Sequence, residues 1–369
     1  MDIVFYKIIC TEIKNKSDEM NYKTTFIISL LPLFVLVSSC LKPRISLVYS
    51  PTAIEETKVL ETIAFGSCNR TDLEQNIWPS IRQTNPDLWI WLGDAIYADT
   101  ENMEKMKRMY EEQKAVQAYT YFVRTTPIIG TWDDHDYGES DGGKNFKAKA
   151  EAQQLFLDFL DVPETAEVRQ TEGVYQSYLI GEADKTVKII VLDTRYFRDD
   201  LEKDPSGKAR YLLNKEGDIL GEKQWQWLEN ELATSTAAFN IICSSIQVLA
   251  EEQLFEKWAN FPTARQRLLD LIVKTQPQHP IMISGDRHIG EVAKIKLDGF
   301  EQPIYEITSS GLTHAYTKNS ATAEPNKYRV GNLINQRHFA LLQIDWQTKK
   351  ITSEIRDVNG NLLQSTDLH

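Results

Sequence analysis

Cysteine, basic charge and long apolar runs are all in short supply in this chain. Four cysteines occur in 369 residues, at positions 10, 40, 68 and 243. Basic residues number 41 against 53 acidic ones, a net charge of −12. That balance argues against nucleic acid or an anionic membrane surface as the main partner, while leaving room for a locally positive site. The apolar run from Phe26 to Val37 is too short for a helix that spans a bilayer. No repeat and no low-complexity block is present, and 42% hydrophobic residues over this length suffice for a large core in one or two domains.

The N-terminal region carries its own signal. Lys23, the Phe26–Val37 run, and Ser38 and Ser39 before Cys40 have the order of a secretory leader. Small residues directly before a cysteine resemble the lipobox of bacterial lipoproteins, in which that cysteine is lipidated and becomes the first mature residue. The expected organisation is an upstream over-extension over 1–19, a signal peptide over 20–39, a tether over 40–58 and one domain over 59–369. Removing 1–39 takes away Lys7, Lys14, Lys16 and Lys23 against Asp2, Glu12, Asp18 and Glu19, so the charge stays at −12. The expected location is a bacterial cell envelope, exported and held to the membrane by lipid on Cys40. Cys68 and Cys243 then remain, enough for one disulfide at most.

From Val59 onward, β-type apolar runs alternate with helical patterns, which reads as α/β. Helices are expected over 101–122, 146–160, 221–234 and 263–274, the second with Phe156, Phe159 and Leu160 on one face. In the third, Trp225 and Trp227 cannot share a face, so one belongs to the core and the other to its rim. The runs "GVYQSYLIG", "KIIVLDT", "EVAKIKL", "PIYEITSS", "FALLQIDW" and "KITSEIRD" read as strands. They are too many for one doubly wound sheet and point to two sheets face to face.

One device recurs. "ETIAFGSC" ends at Cys68, "DLWIWLGD" at Asp94 with Tyr97 three residues on, "TTPIIGTWDDHD" in an acidic cluster, and "HPIMISGDRH" at Asp286 and His288. Ligands in α/β sheets collect at the carboxyl ends of strands. Thiolate, phenolate, imidazole and carboxylate together favour a transition metal, and carboxylates suit harder cations. Asp94 can bridge two ions, and two ions can clamp the attacking and leaving oxygens of a phosphoryl displacement. The leaving alkoxide needs an acid, for which His135 between Asp134 and Asp136 is the candidate. Each piece alone also has a structural reading: a buried thiol, a packed tyrosine, an acidic helix start. Their joint occurrence at strand ends favours function.

"FGSCNR", "LGDAIYAD", "TWDDHDYG", "LDTRYFRD" and "ISGDRHIGE", in this order, resemble the alkaline phosphatase D-type (PhoD-like) metallophosphatases of the calcineurin-like metallophosphoesterase superfamily. The resemblance covers about residues 60–357. It implies a four-layer α/β/β/α sandwich of two mixed sheets and a two-metal site that hydrolyses phosphate esters. It further implies that Cys68, Asp94, Tyr97 and His288 hold one ion, Fe(3+), and that Asp94 bridges to a second, Ca(2+), with Asp134 and Asp286. Tyr97 is similar to the iron-binding tyrosine of purple acid phosphatases, which implies a coloured protein. Where family members often carry asparagine, five residues after the histidine of "DDHD", this chain has Ser140, with Asp141 beside it as a substitute donor.

Arginines match phosphate oxygens through their planar fork. Arg70, Arg195 and Arg287 are the candidates for substrate, each with a salt bridge to nearby acids as the alternative. Expected roles are then His135 as proton donor, Asp136 as its carboxylate partner and Arg70 as charge stabiliser. Cys243 and the pair Trp89 and Trp91 read as core, and His314 as pocket rim. The competing functional readings are a phosphodiesterase acting on cell-envelope or lipid head-group polymers, a non-catalytic surface lipoprotein that keeps the fold, and a redox protein.

Overall fold

In a computed structural model of the protein, residues 52–316 and 324–369 are described. The expected over-extension, signal peptide, lipidated Cys40 and most of the tether lie outside them. No helix among the described residues is long and apolar enough to cross a membrane.

The chain begins with β1 (Thr62–Gly66), α1 (Trp78–Gln83), β2 (Leu88–Leu92), α2 (Met103–Ala115), α3 (Gln117–Val123) and β3 (Ile128–Thr131). It continues through the short α4 (Asp134–Tyr137), α5 (Lys149–Phe159), β4 (Gln176–Glu182), β5 (Lys185–Val191), α6 (Gly221–Ala233) and β6 (Phe239–Ser244). Then follow α7 (Pro262–Thr275), β7 (Pro280–Ser284), β8 (Gly290–Ile295), β9 (Ile304–Ser309) and β10 (Arg329–Ile334). A final antiparallel run comprises β11 (His338–Asp345), β12 (Lys350–Asp357) and β13 (Leu362–Asp367). One sheet has the order β13-β12-β11-β1-β2-β3 and the other β10-β8-β9-β7-β6-β5-β4. Both are mixed, so the two facing sheets expected from the strand count are present.

Side-chain alternation along the strands builds the layers. Leu88, Ile90 and Leu92 of β2 point between the sheets, where they meet Ile189, Ile241, Cys243 and Ile281. Trp89 and Trp91 point the other way, into a layer made by α1 to α5. Trp78 of α1 stacks edge-on to both at 5.2 and 5.5 Å and lies 4.8 Å from the ring of Tyr119 in α3. Ile190, Ile242 and Met282 face the opposite layer, with Trp225 and Leu228 of α6 and Leu268 and Ile272 of α7. The result is an α/β/β/α sandwich. Trp225 is core and Trp227 only partly buried against it, as the helical spacing requires.

Differences from the sequence reading are local. The helix expected over 101–122 breaks at Val116, whose extended backbone (φ −61°, ψ 112°) separates α2 from α3. A β-branched residue tolerates that turn, and no glycine or proline announces it. Edge strands β10 and β13, "RVGNLI" and "LLQSTD", carry no periodic apolar signal because both are only half buried. Cys68 and Cys243 are both free thiols.

Candidate metal centre

The ends of β1, β2, β3 and β7 meet at one edge of the sandwich, and two glycines make the meeting possible. A Cβ on Gly93 (φ +94°) would lie 2.2 Å from Asp133 Cβ. One on Gly285 would lie 2.3 Å from the carbonyl oxygen of Leu92, across the gap between the sheets. Only glycine lets the backbones approach so closely. The residues delivered there are strained in turn. Cys68 (φ 61°), Asp94 (φ 53°), Asp286 (φ 67°) and His288 (φ 56°) all occupy the left-handed region. Such conformations cost of order 1–3 kcal/mol each and persist where the surroundings over-determine them, typically at functional sites.

Cys68 Sγ lies 3.3 Å from Asp94 Oδ2. Tyr97 OH lies 3.2 Å from the same oxygen and 3.1 Å from His288 Nε2. Two donors bonded to one ion at about 2.0–2.3 Å and set near right angles are about 3 Å apart, so these spacings suit neighbouring ligands. Donor atoms of Cys68, Asp94 and His288 all lie within 4.8 Å of one another, as do those of Asp94, Asp134 and His135, and those of Asp133, Asp134 and Asp286. Asp94 belongs to the first two sets and Asp134 to the last two, an arrangement that accommodates two ions sharing a carboxylate.

Orphaned atoms supply the test of fit. Among the described residues, Asp94 Oδ1 and Asp286 Oδ2 are buried without a hydrogen-bond partner, a costly state for a carboxylate unless a cation answers it. Burial, with the neighbouring acids, outweighs the opposing pull of His135 and leaves Asp94 with a pKa well above the usual range. Burial and Asp133 do the same for Asp286. Burial and Asp94 hold the Cys68 thiol up. Bound ions invert this local logic and favour the charged forms. The residues present therefore fit a pair of metal ions. Asp134 differs: it accepts backbone N–H groups from His135 at 2.9 Å and Asp141 at 2.7 Å, and its pKa falls despite burial, through His135 and Arg195.

His135 stacks on Tyr97 with ring centroids 4.1 Å apart. Its Nδ1 is 2.8 Å from Asp99, not from Asp136. Burial depresses the imidazole, but Asp94, Asp134 and Asp99 outweigh it and carry the pKa to about 11. The expected pairing with Asp136 is corrected: adjacent residues of a helical turn do not face each other. Asp136 instead turns back to accept the Asp133 N–H at 2.6 Å and the Ala95 N–H at 3.0 Å, tying α4 to the Asp94 loop.

The arginines divide. Arg70 stands at the rim, paired with Asp72 at 2.7 Å and lying 5.9 Å from the Tyr97 ring centre. With Tyr97, Lys105 and Arg108 it lines a cleft of about 380 Å³ that Asp72 and Glu112 also border. Arg195 is corrected: it is fully buried between Asp133 and Glu256. Arg287 likewise pairs with Glu324 at 2.6 Å and stacks on Phe255 at 3.9 Å, nearly inaccessible. For both, the salt-bridge alternative holds. Asp141 does not substitute for an asparagine at Ser140, because its carboxylate is taken by Arg210 and Tyr211, while Ser140 is exposed.

Three supporting residues escaped the sequence reading of roles, and a fourth, His314, stands elsewhere than expected. Asp99 sits in the same loop as Asp94, its one available signal. Ser310 Oγ accepts the His288 N–H at 2.7 Å and lies 3.0 Å from Cys68 Sγ. His338 accepts the Ser310 N–H at 3.2 Å and is wholly buried. His314, expected at the rim, reaches inward to Tyr97.

Comparison with known proteins adds three findings. Residues 63–354 match the family described as PhoD-like phosphatase. Alkaline phosphatase D of Bacillus subtilis (strain 168) is 24% identical over 299 residues, covering 68% of this chain and 48% of that protein. The chain thus spans about half the length of that relative. Among solved structures, PhoD aligns at TM-score 0.68 with 18% identity, over 86% of this chain and 70% of its own. GAP50, the anchor in the inner membrane complex of Plasmodium, aligns at 0.56 with 13% identity, over 85% and 89%. A dimetal phosphatase from Danio rerio aligns at 0.53 with 12% identity, over 84% and 99%. At such identities the solved structures establish the metallophosphoesterase-type fold.

Proposed function

The chain belongs to the PhoD-like phosphatase family, and from that premise we propose that it hydrolyses phosphate esters at a two-metal centre. The supporting observation is the gathering of six donors, Cys68, Asp94, Tyr97, Asp134, Asp286 and His288, around orphaned buried carboxylate oxygens. Cys68, Asp94, Tyr97 and His288 would hold ferric iron; Asp94, Asp134 and Asp286 would hold calcium, an oxygen-seeking cation. When bound, such ions supply Lewis-acid charge and an activated water for in-line displacement at phosphorus. His135, oriented by Asp99, protonates the leaving oxygen. Arg70 offsets charge on the phosphoryl oxygens from the rim. Monoesters and diesters are both within the proposal. The cleft beside Tyr97 leaves room for a second ester group, which favours including diesters.

The proposed setting is the bacterial envelope, with the protein exported and anchored through lipid on Cys40. Mass spectrometry of the membrane-extracted protein should find a diacylated Cys40 at the N-terminus, and Cys40→Ser should release the chain. A second reading, a non-catalytic surface protein, draws on GAP50, described as an anchor, and on Ser140. The intact donor set argues against it. Elemental analysis with nitrophenyl phosphate and bis-nitrophenyl phosphate hydrolysis separates these readings. The expected result is about one iron per chain and turnover of at least one ester; metal-free protein inert to both supports the non-catalytic reading.

A further inference from the structure

We infer that His314 is a further protein ligand of the ion held by Cys68, Asp94, Tyr97 and His288. The inference rests on the metal-centre reading above. Three spacings carry it. His314 Nε2 lies 3.2 Å from Tyr97 OH, nearly the distance of His288 Nε2 from that oxygen on another side, 3.1 Å. The two imidazole rings are 4.4 Å apart at 69°, so their nitrogens converge on the phenol without stacking.

Hydrogen bonding fixes which nitrogen is presented. His314 Nδ1 is 3.1 Å from Thr313 Oγ1. That hydroxyl donates to the carbonyl of Cys68 at 3.2 Å and accepts the Arg70 N–H at 2.8 Å. With its proton committed to Cys68, Thr313 accepts from Nδ1–H, leaving the Nε2 lone pair facing Tyr97. Metal-bound histidines are held in this way, with the remote nitrogen tied to a neighbouring acceptor. By contrast, His288 Nδ1 has no partner among the described residues, so His314 is the better fixed of the two rings.

An imidazole nitrogen at 3.1 Å and another at 3.2 Å from the Tyr97 hydroxyl oxygen are spacings that suit ligands of one shared cation. "THAY" would then contribute to the centre from a fifth segment, the loop after β9, in addition to the four strand ends.

The test loads the full-length chain with ferric iron and counts imidazole scatterers by X-ray absorption fine structure at the iron edge. Wild type should show two imidazoles, and His314→Ala, His314→Gln and His288→Ala one each. In competition with a chelator, both His314 variants should lose more than the ~10–100-fold affinity that removal of an outer-shell partner costs. One imidazole in wild type, unchanged in the His314 variants, overturns the inference and leaves His314 a hydrogen-bonding neighbour of Tyr97. A wild-type chain that takes up no iron overturns it together with the iron site, and inert ester assays under that condition separate the two failures.

Discussion

Replacing Asp99 by asparagine isolates the proton-donating role of His135. Asparagine keeps an oxygen that can accept from Nδ1–H, so the ring stays in place, but the negative charge 2.8 Å away is lost. Two unit charges about 4 Å apart are worth ~4 kcal/mol at an effective dielectric near 20. Asp99 is 43% exposed, however, and His135 23%; exposed pairs rarely exceed ~1 kcal/mol. An intermediate value of about 1–2 kcal/mol corresponds to about a 5–30-fold loss in turnover. The loss should fall on esters with poor leaving groups, since an alkoxide needs the proton and a nitrophenolate hardly does. Alkyl phosphates should therefore lose about tenfold while nitrophenyl phosphate loses less than about threefold. Because the carboxylate raises the His135 pKa, its removal should shift the descending limb of the pH–rate profile to lower pH. The assay is kcat for paired alkyl and aryl esters across pH, with metal content measured on the same samples. An equal loss for both esters accompanied by loss of metal would falsify the acid role and make His135 a ligand.

Three further outcomes are expected. Arg195→Met leaves the buried Asp133 carboxylate without its counter-ion, while Glu256 keeps only Arg198, and should cost about 3–5 kcal/mol in urea unfolding; a cost below about 1 kcal/mol contradicts the buried-pair account. Burial lowers the His338 pKa to about 4. The stability it confers is therefore present above the unfolded value near 6.5 and is lost as pH falls from there toward 4, up to about 3 kcal/mol. His338→Gln should flatten that part of the stability profile, and an unchanged slope refutes the assignment. Gly93→Ala forces a Cβ into Asp133 at a positive φ, and should lower metal occupancy in elemental analysis as well as stability; full occupancy would show that the strand ends have slack.

Much of the site is legible in sequence because strands end where their apolar runs end. "IAFGSC", "WIWLGD" and "IMISGD" each carry a glycine one or two residues before the donor; a Cβ at Gly93 would strike Asp133 beyond neighbouring β3, and one at Gly285 would strike Leu92 of the facing sheet. The side-chain partners were less legible. Asp136 looks like the natural neighbour of His135 only in a linear reading, and one helical turn sends the two side chains apart. Arg195 and Arg287 follow strand ends as Cys68 does, yet buried acids at Asp133, Glu256 and Glu324, distant in sequence, draw them inward. Asp99 and Ser310 gained their roles from tertiary contacts that no spacing encodes. The same holds for the fold: the fully buried β2 and β7 announce themselves, whereas the half-exposed edges β10 and β13 do not.

Anomalous diffraction at the metal edges from crystals of the full chain tests the central claim most directly. Two peaks are predicted, one within bonding distance of Cys68 Sγ and Tyr97 OH, the other against Asp134 and Asp286, with Asp94 touching both. A single ion remote from Cys68, or ions bound only by exposed carboxylates, would contradict the account.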